Sequence, residues 1–272
     1  MRRATQVFLG VCAICLVSAL SACGSSGSAS LLVLFDSSAS SSQIIREGYR
    51  DGATLIGLAF CQQHPGSGEI DFNWITATPE ADSQFKSLPC PSRTNETQFK
   101  AALIAFQPQL QGTIDDFIGQ QAPSPGTDII DAILYGASQT FDRFHPTTRI
   151  LVVFSDMEQS GSGVRNCILK AAVTSPTCLE LYYKERPNLN AKRPELTNTA
   201  VFVVGVGQTI RGPISDIDLF AYNAFWRAFF DREKARMCWY APGNLPEETF
   251  PDGTTAVNPK YFRSDCPPVS GY

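Results

Sequence analysis

The sequence predicts an α/β fold in which a mostly parallel central sheet carries helices on both faces. Three observations predict it. The runs LLVLF (31–35), ILVVF (150–154) and AVFVVGV (200–206) are continuous in their apolar residues, as strands are when both faces are covered. Between them, apolar residues recur at the spacing of three and four that gives a helix one buried stripe. The first two runs each stop at an aspartate, Asp36 and Asp156, and open into stretches rich in Gly and Ser. Strand, helix and loop in this order place a functional crevice at the C-terminal ends of the strands.

Taken in order, Leu31 to Phe35 is the first strand, and Ile44, Gly48, Gly52, Leu55 and Ala59 mark a helix laid over the sheet. Glu69 to Thr76 alternates as a strand does, with Ile70, Phe72 and Trp74 on one face, and Phe85 to Leu88 suggests a short partner. Residues 95 to 119 read as helical but contain Pro108, which is expected to kink or split the segment because it lacks an N–H and crowds the preceding turn. Past the linker QAPSPG, Ile129, Ile133 and Ala137 form one row of a cleaner helix and Ile130 and Leu134 the next. The ILVVF strand leads to a long connection, Gly161 to about Asn198, with a short helix anticipated at 162–173. After the third strand, Ser215 to Lys234 reads as a helix packed on the sheet through Ile217, Phe220, Trp226, Phe229 and Phe230, and Met237 to Tyr240 as an edge strand. The tail, 241–272, contains six prolines and is expected to be an irregular strap around a domain spanning 31–240.

The first 22 residues differ from this body. Arg2 and Arg3 precede the apolar run VFLGVCAICLVSAL, too short for a comfortable membrane span and typical of a secretory signal. It ends in Leu20-Ser21-Ala22-Cys23, which resembles the lipobox of bacterial lipoproteins. That resemblance implies cleavage before Cys23 and lipid on its thiol, with 23–30 as a flexible tether rich in Gly and Ser. Gly24 and Ser25 lack the aspartate that retains such proteins at the inner membrane, so the outer membrane is the favoured site. The implied location is the bacterial cell envelope, with the membrane engaged by the lipid anchor alone.

Of nine cysteines, Cys12 and Cys15 fall in the signal and Cys23 carries the lipid. Six remain: Cys61, Cys90, Cys167, Cys178, Cys238 and Cys266. An even number in an oxidising compartment implies three disulfides, with fifteen connectivities open. Sequence proximity suggests Cys61 with Cys90, Cys167 with Cys178 and Cys238 with Cys266. Zinc is disfavoured, since no CxxC pair exists among these six and the only histidines, His64 and His145, each precede a proline. With 22 basic and 26 acidic side chains, the formal charge of −4 gives no reason to expect nucleic acid as a partner.

The strand ends carry the chemistry. Asp36, Ser38 and Ser40 lie in the turn after the first strand, Thr127 opens a helix, and Asp156 ends another buried strand. Helix capping accounts for Ser and Thr at such turns but does not require an aspartate at the end of both strands. Two carboxylates and three hydroxyls at one rim suit a hard, octahedral cation, Mg²⁺ or Mn²⁺. Asp128 and Glu158 could add charge to the rim, and Asp131, one helical turn on, reads as surface or supporting.

With Asp36-x-Ser38-x-Ser40, the distant Thr127 in PGTD and Asp156 in VVFSD, the chain resembles a von Willebrand factor A-type domain with a metal ion-dependent adhesion site. The resemblance covers about 30 to 240 and implies a Rossmann-like sheet, a metal held by those five residues partly through water, and a protein partner whose acidic side chain completes the coordination. The long cysteine-bearing connection after Asp156 departs from the pattern. The expected function is therefore divalent-cation-dependent protein binding, with two alternatives: an accessory lipoprotein of a structural, secretion or conjugation machine, and a Mg²⁺-dependent hydrolase. No catalytic residues are expected, because the GxxxxGK, GxSxG and HExxH patterns are all absent.

Overall fold

The computed structural model describes residues 27–38, 43–120, 124–159, 167, 175–186, 196–209, 212–213, 215–249, 255–258 and 260–266. The signal segment, Cys23, Ser40 and, Cys167 apart, the short helix anticipated at 162–173 lie outside the described residues.

Strand β1 (Ala29–Asp36) is followed by helix α1 (Gln43–Gln63) and by β2 (Gly68–Ile75), which runs parallel to β1 with Trp74 opposite Phe35. A four-residue helix, α2 (Pro79–Asp82), precedes β3 (Lys86–Pro89), antiparallel to β2. Helices α3 (Glu96–Gln120) and α4 (Ile129–Phe144) lead to β4 (Thr148–Phe154), which pairs with the other side of β1 and sets Phe154 opposite Phe35. Then come α5 (Ser175–Glu185), β5 (Thr199–Val204), the small ladder of β6 (Gln208–Thr209) with β7 (Gly212–Pro213), α6 (Asp216–Arg232) and β8 (Arg236–Ala241). The sheet order is β3-β2-β1-β4-β5-β8, parallel except at β3. The predicted architecture is the observed one. Because β2 lies on one side of β1 and β4 on the other, the chain reverses its direction of winding between β1 and β4, the position at which open α/β sheets bind ligands beyond their C-terminal strand ends.

Alternation along the strands divides the core in two. Leu31, Val33 and Phe35 of β1, with Ile150, Val152 and Phe154 of β4, face α1 and α3. Leu32 and Leu34, with Leu151 and Val153, face α4, α5 and α6. The first layer is rich in aromatics, with Phe35 stacked against Phe154 at 5.4 Å between centroids and Trp74 stacked against Phe117 at 4.6 Å. Each such side chain, fully buried, contributes about 1.5–3 kcal/mol through the area it removes from water.

Four expectations are corrected. Pro108 does not split its segment: α3 is a single helix of 25 residues, because the proline sits on the exposed side while Phe99, Phe106, Leu110, Ile114 and Phe117 anchor both halves. The connection after Asp156 contains an 11-residue helix, α5, whose Cys178, Leu179, Tyr182 and Tyr183 are buried in the second layer. Phe220 is 61% exposed, whereas Phe225, Trp226, Phe229 and Phe230 are core. The tail carries a regular ladder, β9 (Glu247–Thr249) with β10 (Thr255–Val257), and inserts Leu245, Val257 and Phe262 into the first layer.

All three disulfides pair as proximity suggested: Cys61–Cys90, Cys167–Cys178 and Cys238–Cys266. The last closes the tail onto β8. No helix among the described residues is long and apolar enough to cross a membrane.

Candidate metal centre at the strand ends

Asp36 is the last residue of β1, and its neighbour in the sheet, β4, ends one residue before Ser155. The register therefore sets Asp36 beside Ser155, whose Oγ donates to Asp36 Oδ2 at 2.7 Å. The backbone N–H of Ser38 donates to Asp36 Oδ1, also at 2.7 Å, so the turn after β1 wraps around the carboxylate. Burial pushes the Asp36 carboxyl above its usual range; the hydrogen bonds from Ser38 and Ser155 oppose that shift, and the negative charge of Glu158 adds to it.

Asp156 follows at once. Its Oδ1 accepts from the Glu158 N–H at 2.8 Å, while its carbonyl accepts from the Gly207 N–H at 2.9 Å. Between them Met157 adopts φ 63°, a conformation costing L residues roughly 1–2 kcal/mol. Its N–H donates to Ser155 Oγ at 2.9 Å, and its carbonyl accepts from Trp226 Nε1 at 2.9 Å, which hold the turn in place. Gly205 is needed nearby: at φ 94°, an added Cβ would come within 2.7 Å of the Tyr49 hydroxyl. Burial, with the charges of Asp36 and Asp156, raises the Tyr49 phenol well above its normal value, so both carboxylates act on one side chain.

Thr127 reaches the same rim from the loop before α4. That loop is tied to the ends of β1 and β2: Ser124 N–H donates to Ser37 O at 2.8 Å, and Asp128 N–H donates to Thr76 O at 2.8 Å. Thr127 Oγ1 donates to Glu158 O at 2.9 Å, which binds this loop to the Asp156 turn. A hydroxyl whose proton is used on a carbonyl presents oxygen lone pairs elsewhere. Asp36, Ser38, Thr127 and Asp156 are all buried at this rim. Ser40, the fifth expected ligand, lies outside the described residues.

Asp128 belongs to another arrangement. Its carboxylate caps α4 by accepting from the Asp131 N–H at 3.2 Å, and also accepts from Gln159 Nε2 at 2.9 Å and Tyr182 Oη at 2.8 Å. Arg186 forms an ion pair with its Oδ2 and lies over the Tyr182 ring, 4.7 Å from the centroid. Asp128 is thus committed to α4 and α5 rather than added to the rim. Gln159 Oε1 accepts from the Ile129 N–H at 2.7 Å, so this side chain staples the Asp156 turn to the start of α4.

The sequence reading missed Ser155, Gln159, Tyr182 and Arg186. Ser155 carried a signal, since the residue before a strand-end aspartate faces the neighbouring strand end; the other three had none, because their roles arise from α5 and from a contact across 31 residues.

The donors fit a hard divalent cation. They are oxygens, two of them from buried carboxylates, and an acid disfavoured by burial gains from a cation beside it. Among the described residues no group of three or more His, Cys, Asp or Glu is arranged to hold a metal.

The fold is a doubly wound, mostly parallel six-stranded sheet flanked by helices, with Asp36 and the Asp156 turn at its switch point. No protein-family model and no curated protein matches the chain. Among solved structures it is similar to an aerotolerance-related membrane protein of Bacteroides fragilis, at 13% identity and a TM-score of 0.31 over 66% of this chain and 68% of that one. It is also similar to the pilus adhesin SpaC of Lactobacillus rhamnosus GG in its open conformation, at 7% identity and a TM-score of 0.36 over 75% of this chain and 30% of that one.

Proposed function

We propose that the chain is a von Willebrand factor A-type domain of a cell-envelope lipoprotein that binds a protein partner in a divalent-cation-dependent way. Asp36, Ser38, Ser40, Thr127 and Asp156 would hold Mg²⁺ or Mn²⁺. The observation that carries this reading is the convergence of two buried carboxylates at the β1–β4 switch point, linked through Ser155 and oriented by neutral donors. A bound cation would supply an open coordination position that attracts an acidic side chain of the partner. The chain's own residues would orient the carboxylates, exclude bulk water by burial and fix the Thr127 hydroxyl against the Asp156 turn.

We propose binding rather than catalysis, because no nucleophile or phosphate-loop motif accompanies the site. In the accessory-machine alternative the metal mainly steadies the loops. The Thr127 and Gln159 bonds already join those loops through the chain itself, which favours a cation directed outward at a partner. Pull-down from an envelope extract, with Mg²⁺ in one arm and chelator in the other, tests the reading. A partner retained only with Mg²⁺ supports it, and identical retention in both arms overturns it. Lipidation at Cys23, with outer-membrane anchoring, is part of the same proposal; intact-mass measurement should show the lipid and its loss in Cys23→Ala.

A further inference from the structure

Helix α5 lies in the connection that departs from the resemblance, yet its C-terminal half, with Arg186 just past its end, reaches the start of α4. Tyr182 and Arg186 both bond to Asp128, the residue after Thr127. Asp128 in turn receives Gln159 Nε2, and Gln159 Oε1 receives the Ile129 N–H, while Thr127 Oγ1 donates to Glu158 O. The Thr127, Asp128 and Gln159 bonds close a ring between the loop before α4 and the Asp156 turn, and the inserted segment is attached to that ring at Asp128. Asp128, Gln159 and Tyr182 are buried, and burial together with the Asp128 charge keeps the Tyr182 hydroxyl protonated, hence a donor. The first half of α5 is fixed separately: Cys178 is bonded to Cys167, and Glu180 pairs with Arg232 of α6.

Resting on the metal-site reading above, we infer that α5 sets the geometry of that site, with Tyr182 and Arg186 acting through Asp128 as positioning residues for Thr127. Thr127 is the one ligand of the set borne by a loop that does not directly continue a sheet strand, and its backbone position is fixed by Asp128 on one side and by Ser124 on the other. The carboxylates have their own supports in Ser155, Ser38 and Glu158. A force on α5, such as a protein docking on the inserted segment, would therefore reach Thr127 first, as the chain neighbour of Asp128, and the Asp156 turn only by way of Gln159. The clamp gives the insert control of cation affinity without lending it a ligand.

The test is calorimetric Mg²⁺ titration of the full chain in detergent, for the wild type, Arg186→Gln, Tyr182→Phe, Thr127→Ala and the double variant Tyr182→Phe/Thr127→Ala, with the unfolding temperature of each metal-free protein recorded. Loss of a supporting contact behind a ligand typically weakens metal binding about 10-fold to 100-fold. The expected result is a weakening of about 10-fold in Arg186→Gln and a smaller one in Tyr182→Phe that vanishes in the Thr127→Ala background, because both changes act through one hydroxyl. Tyr182→Phe keeps the ring and its packing, so it carries the test if Arg186→Gln does not fold. Wild-type binding with an unchanged Tyr182→Phe affinity, or with losses that add in the double variant, overturns the clamp and leaves the metal site standing. Absence of Mg²⁺ binding by the wild type overturns both.

Discussion

Asp36, at the end of β1, and Asp128, at the start of α4, are both buried carboxylates, but they are held by different means. Asp36 is oriented by a backbone N–H and the Ser155 hydroxyl, and burial drives its carboxyl upward. Asp128 receives a guanidinium, a phenol, an amide and a helix N–H. A buried charge given a cation by the fold is structural, and its removal leaves a partner stranded. Asp36 lies beside the Asp156 turn, where a cation would act on two carboxylates at once. The difference separates two aspartates that the sequence both offered as charge for one rim.

The largest expected effect tests the first half of this contrast. Asp36→Ala with Asp156→Ala should abolish the heat of Mg²⁺ binding in calorimetry; retained affinity would break the contrast at its base. Next, Arg186→Ala leaves the Asp128 carboxylate buried without its cation and should destabilise the metal-free protein by about 3 kcal/mol in urea unfolding. A stability unchanged by that substitution would mean that Asp128 is no more committed than Asp36. Gln159→Leu removes the staple between the two loops and should cost about 2 kcal/mol, because the Ile129 N–H and one Asp128 contact lose their partner.

The smallest effect concerns Asp131, which borders the clamp without joining its bonds by side chain. Burial first, and the Asp128 charge second, raise its carboxyl from 3.8 to about 6. Below pH 3.8 the group is protonated in both the folded and unfolded chain and its contribution is fully present. As pH rises through about 6 the folded protein must ionise a half-buried acid, and that contribution is lost. Asp131→Asn should therefore raise stability at pH 8 by roughly 1 kcal/mol, allowing for solvent screening, and leave it unchanged near pH 3.5. Unfolding curves at the two pH values check this; an equal gain at both would assign the effect to something other than charge.

Local pattern and tertiary context each explain part of what could be read in advance. The strands were legible because a strand covered on both faces must be apolar at every position, and Leu31–Phe35, Ile150–Phe154 and Val201–Val204 are. Pro108 misled because a rule about one residue competes with five buried side chains along the same helix. Helix α5 was hidden because its stripe is short, Cys178, Leu179, Tyr182 and Tyr183, and lies within a segment punctuated by Ser, Pro and Cys. The candidate ligands were chosen by their spacing, and Asp36, Ser38, Thr127 and Asp156 are buried in turns and loops tied to the ends of β1, β2 and β4.

The sequence by itself determined the alternation of strand and helix, the even set of six cysteines in the body and the identity of the oxygen-bearing residues at the strand ends. Those are consequences of chain-local periodicity and composition. Only the tertiary structure decided that Asp128 faces Arg186 while Asp36 faces Ser155. That choice depends on which distant element, α5 or β4, packs beside each strand end, and a carboxylate's role is set by the charge and donors around it rather than by its place in the chain.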